Sequence, residues 1–188
     1  MNLSNKLTSL RLVLCGPLFF LLYQTSFELR IAVLFLFVFM ILTDIYDGLI
    51  ARDRNLKTLF GNFLDPVSDK IMIALPLIVF VDFGFIPPWI AVIVVAREFI
   101  VTGIRSVAMS SKKVVGSNIF GKAKFSLQAI AIIFMLLYLV FELSAVWTAP
   151  LGKMFFKITL GSMYLMAVVT VLSIYRILKD NFWIFKES

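Results

Sequence analysis

Eleven acidic residues are all this 188-residue chain has, and four of them, Asp44, Asp47, Asp65 and Asp69, form one pattern between positions 44 and 69. Asp44, Asp47, Gly48 and Ala51 are spaced i, i+3, i+4 and i+7, which puts them on one face of a helix. Asp65 and Asp69 stand four apart, on one face of the next helix, and a short turn between the two helices lets the acidic faces meet. Carboxylates brought together near a membrane repel one another, and each costs roughly 2.5–3.5 kcal/mol to insert. Something positive must therefore sit among them. Divalent cations with oxygen ligands fit, and Mg²⁺ or Mn²⁺ suits carboxylates where no His or Cys is at hand. Two such ions sharing carboxylates would stand about 3.5–4 Å apart, the spacing that clamps a phosphoryl group during in-line displacement.

The residues between the aspartates point the same way. Gly48 and Ala51 leave the acidic face bare enough for a bulky ligand to lie against the helix. Arg52 adds donors for phosphate oxygens. A nucleotide diphosphate fits this combination better than a bare ion. Plainer readings exist for single pieces. Asp65-Pro66 reads as a helix cap followed by proline in the first turn, Asp53 and Arg54 read as solvated loop charges, and a lone aspartate could pair with Lys70 or Arg97. None of these accounts for four aspartates at these spacings together with the Gly, Ala and Arg between them.

The elements that must position this site are apolar helices. The chain is 61% hydrophobic, against about half for a soluble domain, and its mean hydropathy is +1.00. Apolar residues come in long runs broken by short charged stretches, as in a polytopic membrane protein. Six segments can be drawn, at about residues 12–23, 29–46, 71–85, 88–109, 125–147 and 155–177. Pro87-Pro88 and Pro150 mark the starts of two of them, and Pro76 lies inside the third, where it can kink a helix. Ahead of the first, Asn5, Thr8 and Arg11 alternate with Leu3, Leu7 and Leu10, which predicts a short amphipathic helix on the membrane surface. The expected fold is an all-α integral membrane protein of six transmembrane helices preceded by that amphipathic helix, as a single domain over residues 1–188.

Basic residues orient it. Of the eighteen Lys and Arg, thirteen fall on the side that holds the N-terminus. Three (Arg30, Lys153 and Lys157) fall on the other, and Lys70 and Arg97 lie within spans. The positive-inside rule then places both termini and the aspartate site at the cytoplasmic face.

Composition also excludes chemistries. There is no histidine, so Ser-His-Asp catalysis, phosphohistidine transfer and His metal ligands are ruled out. Acid–base work falls to carboxylates, Lys or Tyr. The single Cys15 lies in an apolar run and cannot form an internal disulfide. The net charge of +7 suits an anionic membrane surface or an anionic substrate better than nucleic acid, because an apolar bundle offers no duplex-binding face.

With these residues in view, the stretch from Asp44 to Asp69 resembles the signature of the CDP-alcohol phosphatidyltransferases, D-x2-D-G-x2-A-R-x8-G-x3-D-x3-D, with every fixed position present. Three further stretches resemble the branch of that family that uses a glycerol phosphate acceptor. They are Asn5-Lys-Leu-Thr8-Ser-Leu-Arg11, the run from Ala96-Arg97-Glu98 through Thr102-Gly103 to Arg105, and Gly121-Lys122-Ala-Lys124 followed by Gln128. One departure is Phe125, where those enzymes carry threonine.

The resemblance implies a reaction and a set of roles. The hydroxyl of glycerol 3-phosphate attacks the lipid-linked phosphorus of CDP-diacylglycerol, CMP leaves, and phosphatidylglycerophosphate forms. Asp44 and Asp65 bridge two divalent cations, Mg²⁺ or Mn²⁺, while Asp47 completes the first site and Asp69 ligates the second and acts as general base. Asn5, Thr8, Gly48, Arg52 and Thr58, with Ala51 and Gly61 beside them, line the CDP-lipid pocket. It further implies a homodimer in a bacterial inner (cytoplasmic) membrane. An anionic acceptor needs fixed positive charge, for which Arg105, Lys122 and Lys124 are best placed. Arg97, deeper, can pair with Glu98 or a motif aspartate or contact the substrate directly, and Lys112 and Lys113 are expected to meet lipid headgroups. Two alternatives stay open. One is a sister transferase taking inositol phosphate, serine or phosphatidylglycerol. The other is a divalent-cation carrier, which would want its carboxylates near mid-membrane. Asp44 and Asp47 instead end an apolar run roughly 21 Å long at 1.5 Å per residue.

Overall fold

Among the described residues of a computed structural model, six helices follow one another in chain order: α1 (Leu3–Leu22), α2 (Phe27–Arg54), α3 (Leu59–Asp82), α4 (Pro88–Ser110), α5 (Ile119–Glu142) and α6 (Ala149–Asp180). The structure describes residues 3–54, 59–110, 119–143 and 149–181. Within these, side chains are not described for 3–6, 47–54, 59–63, 65, 109–110, 119–123 and 149. The join between the two aspartate helices, with Lys57 and Thr58, lies outside the described residues, as do Lys112, Lys113 and the end of the fifth apolar segment at Trp147.

The bundle is apolar outside and carries charge within. Val13, Phe20, Phe35, Phe39, Ile78, Val92, Ile130 and Leu172, drawn from all six helices, stand exposed, while Thr8, Arg11, Arg97, Lys124 and Gln128 are buried. A water-soluble bundle does the reverse. Among the described residues, three stretches, Phe27–Tyr46, Lys124–Glu142 and Pro150–Asp180, are long and apolar enough to cross a membrane. The apolar runs of α1, α3 and α4 are interrupted by the charges at Arg11, Asp69, Lys70, Arg97 and Glu98.

Phenylalanines divide by helical phase. Phe35 and Phe39 face outward, and Phe37 between them is fully buried in a core with Met40, Met72, Phe80 and Met135. In lipid the outer residues gain nothing from burial, so helix association rests on close packing and polar contacts. Helix α1 packs on α2 and α3, α5 on α6 and α2, and α4 on α6 and α3.

Three expectations change. The N-terminal segment is not a separate surface helix, because α1 runs unbroken from Leu3 to Leu22. Thr8 and Arg11 are 0% and 1% exposed, so these two residues face the bundle rather than headgroups. Proline 66 does not open a helix. Helix α3 begins at Leu59 and carries Pro66 and Pro76 inside it, so Asp65 is no N-terminal cap. Asp53 and Arg54 are the last residues of α2 and not part of a loop.

The turn from α3 to α4 follows directly from its sequence. Gly84 has φ +73°, a left-handed conformation that costs glycine little. Its N–H bonds to the Val81 carbonyl at 2.9 Å and the Phe85 N–H to the Phe80 carbonyl at 2.9 Å. This paired closure of a helix end is the Schellman motif. Pro87 and Pro88 follow, and α4 starts at Pro88, where proline's missing N–H costs nothing.

Candidate active site

Helices α1, α2 and α3 bring their polar faces together at one end of the bundle. One nitrogen of Arg11 on α1 donates to Oδ1 of Asp44 on α2 and to Oδ1 of Asp69 on α3, each at 2.5 Å. The two aspartates are thus drawn together across the helix pair, as their spacing predicts. The arginine side chain is 2% exposed, against 23% for Asp44 and 35% for Asp69. The carboxylates therefore border accessible space, and the guanidinium lies behind them.

Asp69 precedes the apolar run that begins at residue 71. Burial, and then the neighbouring Asp44 carboxylate, push its carboxyl above the ordinary range, with Arg11 pulling the other way. Burial removes water from the charged form and a like charge opposes it. A dication would relieve both penalties, and two carboxylates that share a cationic partner are a donor set of the right chemistry for Mg²⁺ or Mn²⁺. The backbones of Asp47 and Asp65 are helical, at positions 47 of α2 and 65 of α3. Their side chains lie outside the described ones, as do those of Asn5, Gly48, Ala51, Arg52 and Gly61 in the expected CDP-lipid set. Thr8 of that set is fully buried on α1, three residues before Arg11.

A second charged cluster joins α4, α5 and α6. Glu98 on α4 pairs with Lys124 on α5 and with its neighbour Arg97, Nη1 to Oε2 at 3.3 Å. Arg97 also donates to the Ser173 hydroxyl on α6 at 3.2 Å. Arg97 thus pairs with Glu98, the first of its two expected partners. Lys124 is buried and already shares a carboxylate. Gln128, one turn further along α5, is 1% exposed and its amide nitrogen has no hydrogen-bond partner among the described residues. Arg105 is exposed at the same end, close enough to Lys70 and Arg97 for the charges to interact. Lys122 lies outside the described side chains.

The clusters are neighbours. Lys70, next in chain to Asp69, holds its ammonium 5.9 Å from the centroid of Phe99, next in chain to Glu98. Between α3 and α4 runs an apolar groove of about 80 Å³, lined by Ile71, Ile73, Ala74, Val94 and Val95, with Lys70, Glu98 and Phe99 at one end. The arrangement sets a carboxylate pair beside several buried or half-buried cations and opens onto an apolar face. That suits a reaction between an anionic head group and a lipid.

Two residues at the centre of these clusters were not expected there. Arg11 reads in the sequence as one of many basic residues near the N-terminus, and Glu98 only as a partner for Arg97. The signal available for Arg11 was its place in the Asn5-Thr8-Arg11 run, whose spacing puts Thr8 and Arg11 on one face.

Geometry and motif together define a class, and comparison with known proteins agrees. The family model of the CDP-alcohol phosphatidyltransferases matches residues 1–175. The chain belongs to that family, and with it to the enzymes of phospholipid biosynthesis. Among curated relatives, the CDP-diacylglycerol–glycerol-3-phosphate 3-phosphatidyltransferase of Bacillus subtilis is 36% identical over 180 aligned positions, covering 87% of this chain and 93% of its own. A protein of Mycobacterium tuberculosis described as a probable phosphatidylglycerophosphate synthase is 36% identical, covering 70% of this chain and 64% of its own. The Rickettsia bellii CDP-diacylglycerol–glycerol-3-phosphate 3-phosphatidyltransferase is 33% identical, covering 72% and 75%.

Proposed function

We propose that this enzyme transfers the phosphatidyl group of CDP-diacylglycerol to glycerol 3-phosphate, giving phosphatidylglycerophosphate and CMP. The observation that carries the reading is the convergence of Asp44 and Asp69, far apart in sequence, beside the cations of α4 and α5. The names of the relatives support the acceptor. In this reading all six helices cross the membrane, with both termini and the site on the cytoplasmic side, and two copies form a homodimer.

Each group then has a task. Asp44, Asp47, Asp65 and Asp69 would hold two divalent cations, Mg²⁺ or Mn²⁺, which neutralise the diphosphate and favour departure of CMP. Asn5, Thr8, Gly48, Ala51, Arg52, Thr58 and Gly61 hold the CDP-lipid along the aspartate face. Arg105, Lys122 and Lys124 take the acceptor's phosphate, so its hydroxyl lies in line with the lipid-bearing phosphorus. Asp69 accepts the hydroxyl proton as the new O–P bond forms and the bond to CMP breaks. Its raised proton affinity suits a base that works near neutral pH. Direct displacement needs no covalent intermediate on the protein, and the chain has no histidine to form one.

The test is CMP release by the purified protein in detergent, supplied with CDP-diacylglycerol, Mg²⁺ or Mn²⁺ and a panel of acceptors. Release that requires glycerol 3-phosphate is the expected result. Release with inositol phosphate but not glycerol 3-phosphate would replace the acceptor while keeping the reaction. No release with any acceptor would overturn the transferase reading of this site.

A further inference from the structure

We propose that Arg11 sets how tightly the aspartate site holds divalent cations, by competing for the same carboxylate oxygens. The proposal rests on reading the aspartates as a cation site, and it adds a residue from a helix outside the aspartate motif. Arg11 is 1% exposed. A guanidinium buried that deeply must be neutralised, and its bonds to Oδ1 of Asp44 and Oδ1 of Asp69 do so. A divalent cation shared by these carboxylates draws on the same oxygen lone pairs. It also carries positive charge toward a fixed positive charge that packing between α1, α2 and α3 prevents from moving far. Arg11 therefore opposes cation binding while it keeps the carboxylates from repelling one another.

The two effects separate experimentally. Removing the charge costs stability when no cation is present, because Asp44 and Asp69 then face each other without a partner. It strengthens cation binding, because the freed oxygens have no competitor. A residue that merely held the carboxylates in position would do the opposite to binding. Loss of such a scaffold weakens affinity along with stability.

The experiment is a Mn²⁺ titration of the full chain in detergent micelles, with free Mn²⁺ followed by electron paramagnetic resonance. Melting temperatures in chelator and in saturating Mn²⁺ accompany it. For Arg11→Met, the expected results are Mn²⁺ affinity raised about tenfold or more, a lower Tm in chelator, and a larger Tm rise on adding Mn²⁺ than wild type shows. Arg11→Lys keeps the charge but replaces the guanidinium, one nitrogen of which bridges both carboxylates, with a shorter and more strongly hydrated ammonium. It should fold nearly as well and tighten binding a few-fold, which keeps the test decisive if the methionine variant does not fold. Affinity unchanged or weakened in the variants would overturn the proposal and leave the transferase reading standing. Wild-type protein that binds no Mn²⁺ while still releasing CMP would sink the cation site and this proposal together.

Discussion

The two ends of the bundle are built from different materials. At the aspartate end, the contacts between helices are charged or polar: Arg11 with Asp44 and Asp69, Glu98 with Lys124, and Arg97 with Ser173. At the other end they are largely aromatic. Tyr23 on α1 meets Phe83 edge to face at 5.5 Å between ring centroids, Phe83 meets Phe85 at 5.8 Å, and Phe85 meets Tyr138 of α5 and Phe156 of α6 at 6.0 and 6.2 Å. Polar contacts there tie helix ends together. Arg30 donates to the Leu139 carbonyl at 2.6 Å and to Glu142 at 3.2 Å, and Tyr23 donates to Asp82 at 3.1 Å. Aromatic edge-to-face packing does not depend on which ions or anions are bound. A network of buried charges does, since every new charge changes what each member is paired with. One end is suited to hold the helices whatever is bound, and the other to respond to what enters.

The sharpest way to break this division is at Asp69. Asp69→Asn keeps the shape and removes the proton acceptor, so CMP release should fall by about 10²–10⁴-fold, while CDP-lipid binding, measured by equilibrium titration, persists. Full activity in that variant would remove Asp69 as the base.

Next in size is Lys124→Met. Loss of a charge pairing with the acceptor phosphate should raise KM for glycerol 3-phosphate by roughly 10–100-fold, as for a charged hydrogen bond of about 1.5–3 kcal/mol. KM for the CDP-lipid should change little. An equal rise in both constants would mean that Lys124 only supports the fold through Glu98.

Smaller effects belong to the opposite end. Phe85→Leu removes three edge-to-face contacts at about 0.5–1.5 kcal/mol each. It should lower Tm by several degrees while both KM values stay as they were. A change in acceptor KM from so far away would erase the distinction between the ends. Smallest of all, Phe35→Leu on the outward face of α2, a residue 69% exposed, should leave both Tm and kinetics within error. A loss there would instead point to a protein surface covering that face.

The legible parts of this molecule were those that depend on local spacing. Six helices follow from apolar runs and prolines, and the shared faces of Asp44 with Asp47 and of Asp65 with Asp69 follow from 3.6-residue periodicity. Contacts between helices distant in sequence were harder to read. Arg11 was read on an amphipathic surface segment because alternating Leu and polar residues describe a membrane-surface helix and a buried polar face equally well. Only packing against α2 and α3 decides between them. The hub role of Glu98 has the same cause, since its partners lie on α5 and beside it on α4, and the sequence lists four or five cations that could have met it. The ends of α2 and α3 ran past their apolar segments because a helix does not stop where hydrophobicity does. Gly48 stands just past the second apolar segment, yet α2 continues through it to Arg54.

Arg11 also has a place in time. It lies 33 residues before Asp44 and 58 before Asp69. At about 5–20 residues per second, the ribosome makes it several seconds ahead of the acidic pair. Each aspartate carried into lipid alone would cost roughly 2.5–3.5 kcal/mol. A first helix that already holds its cation gives α2 and then α3 a partner on arrival, so the chain's order of synthesis becomes the order in which its charges are neutralised.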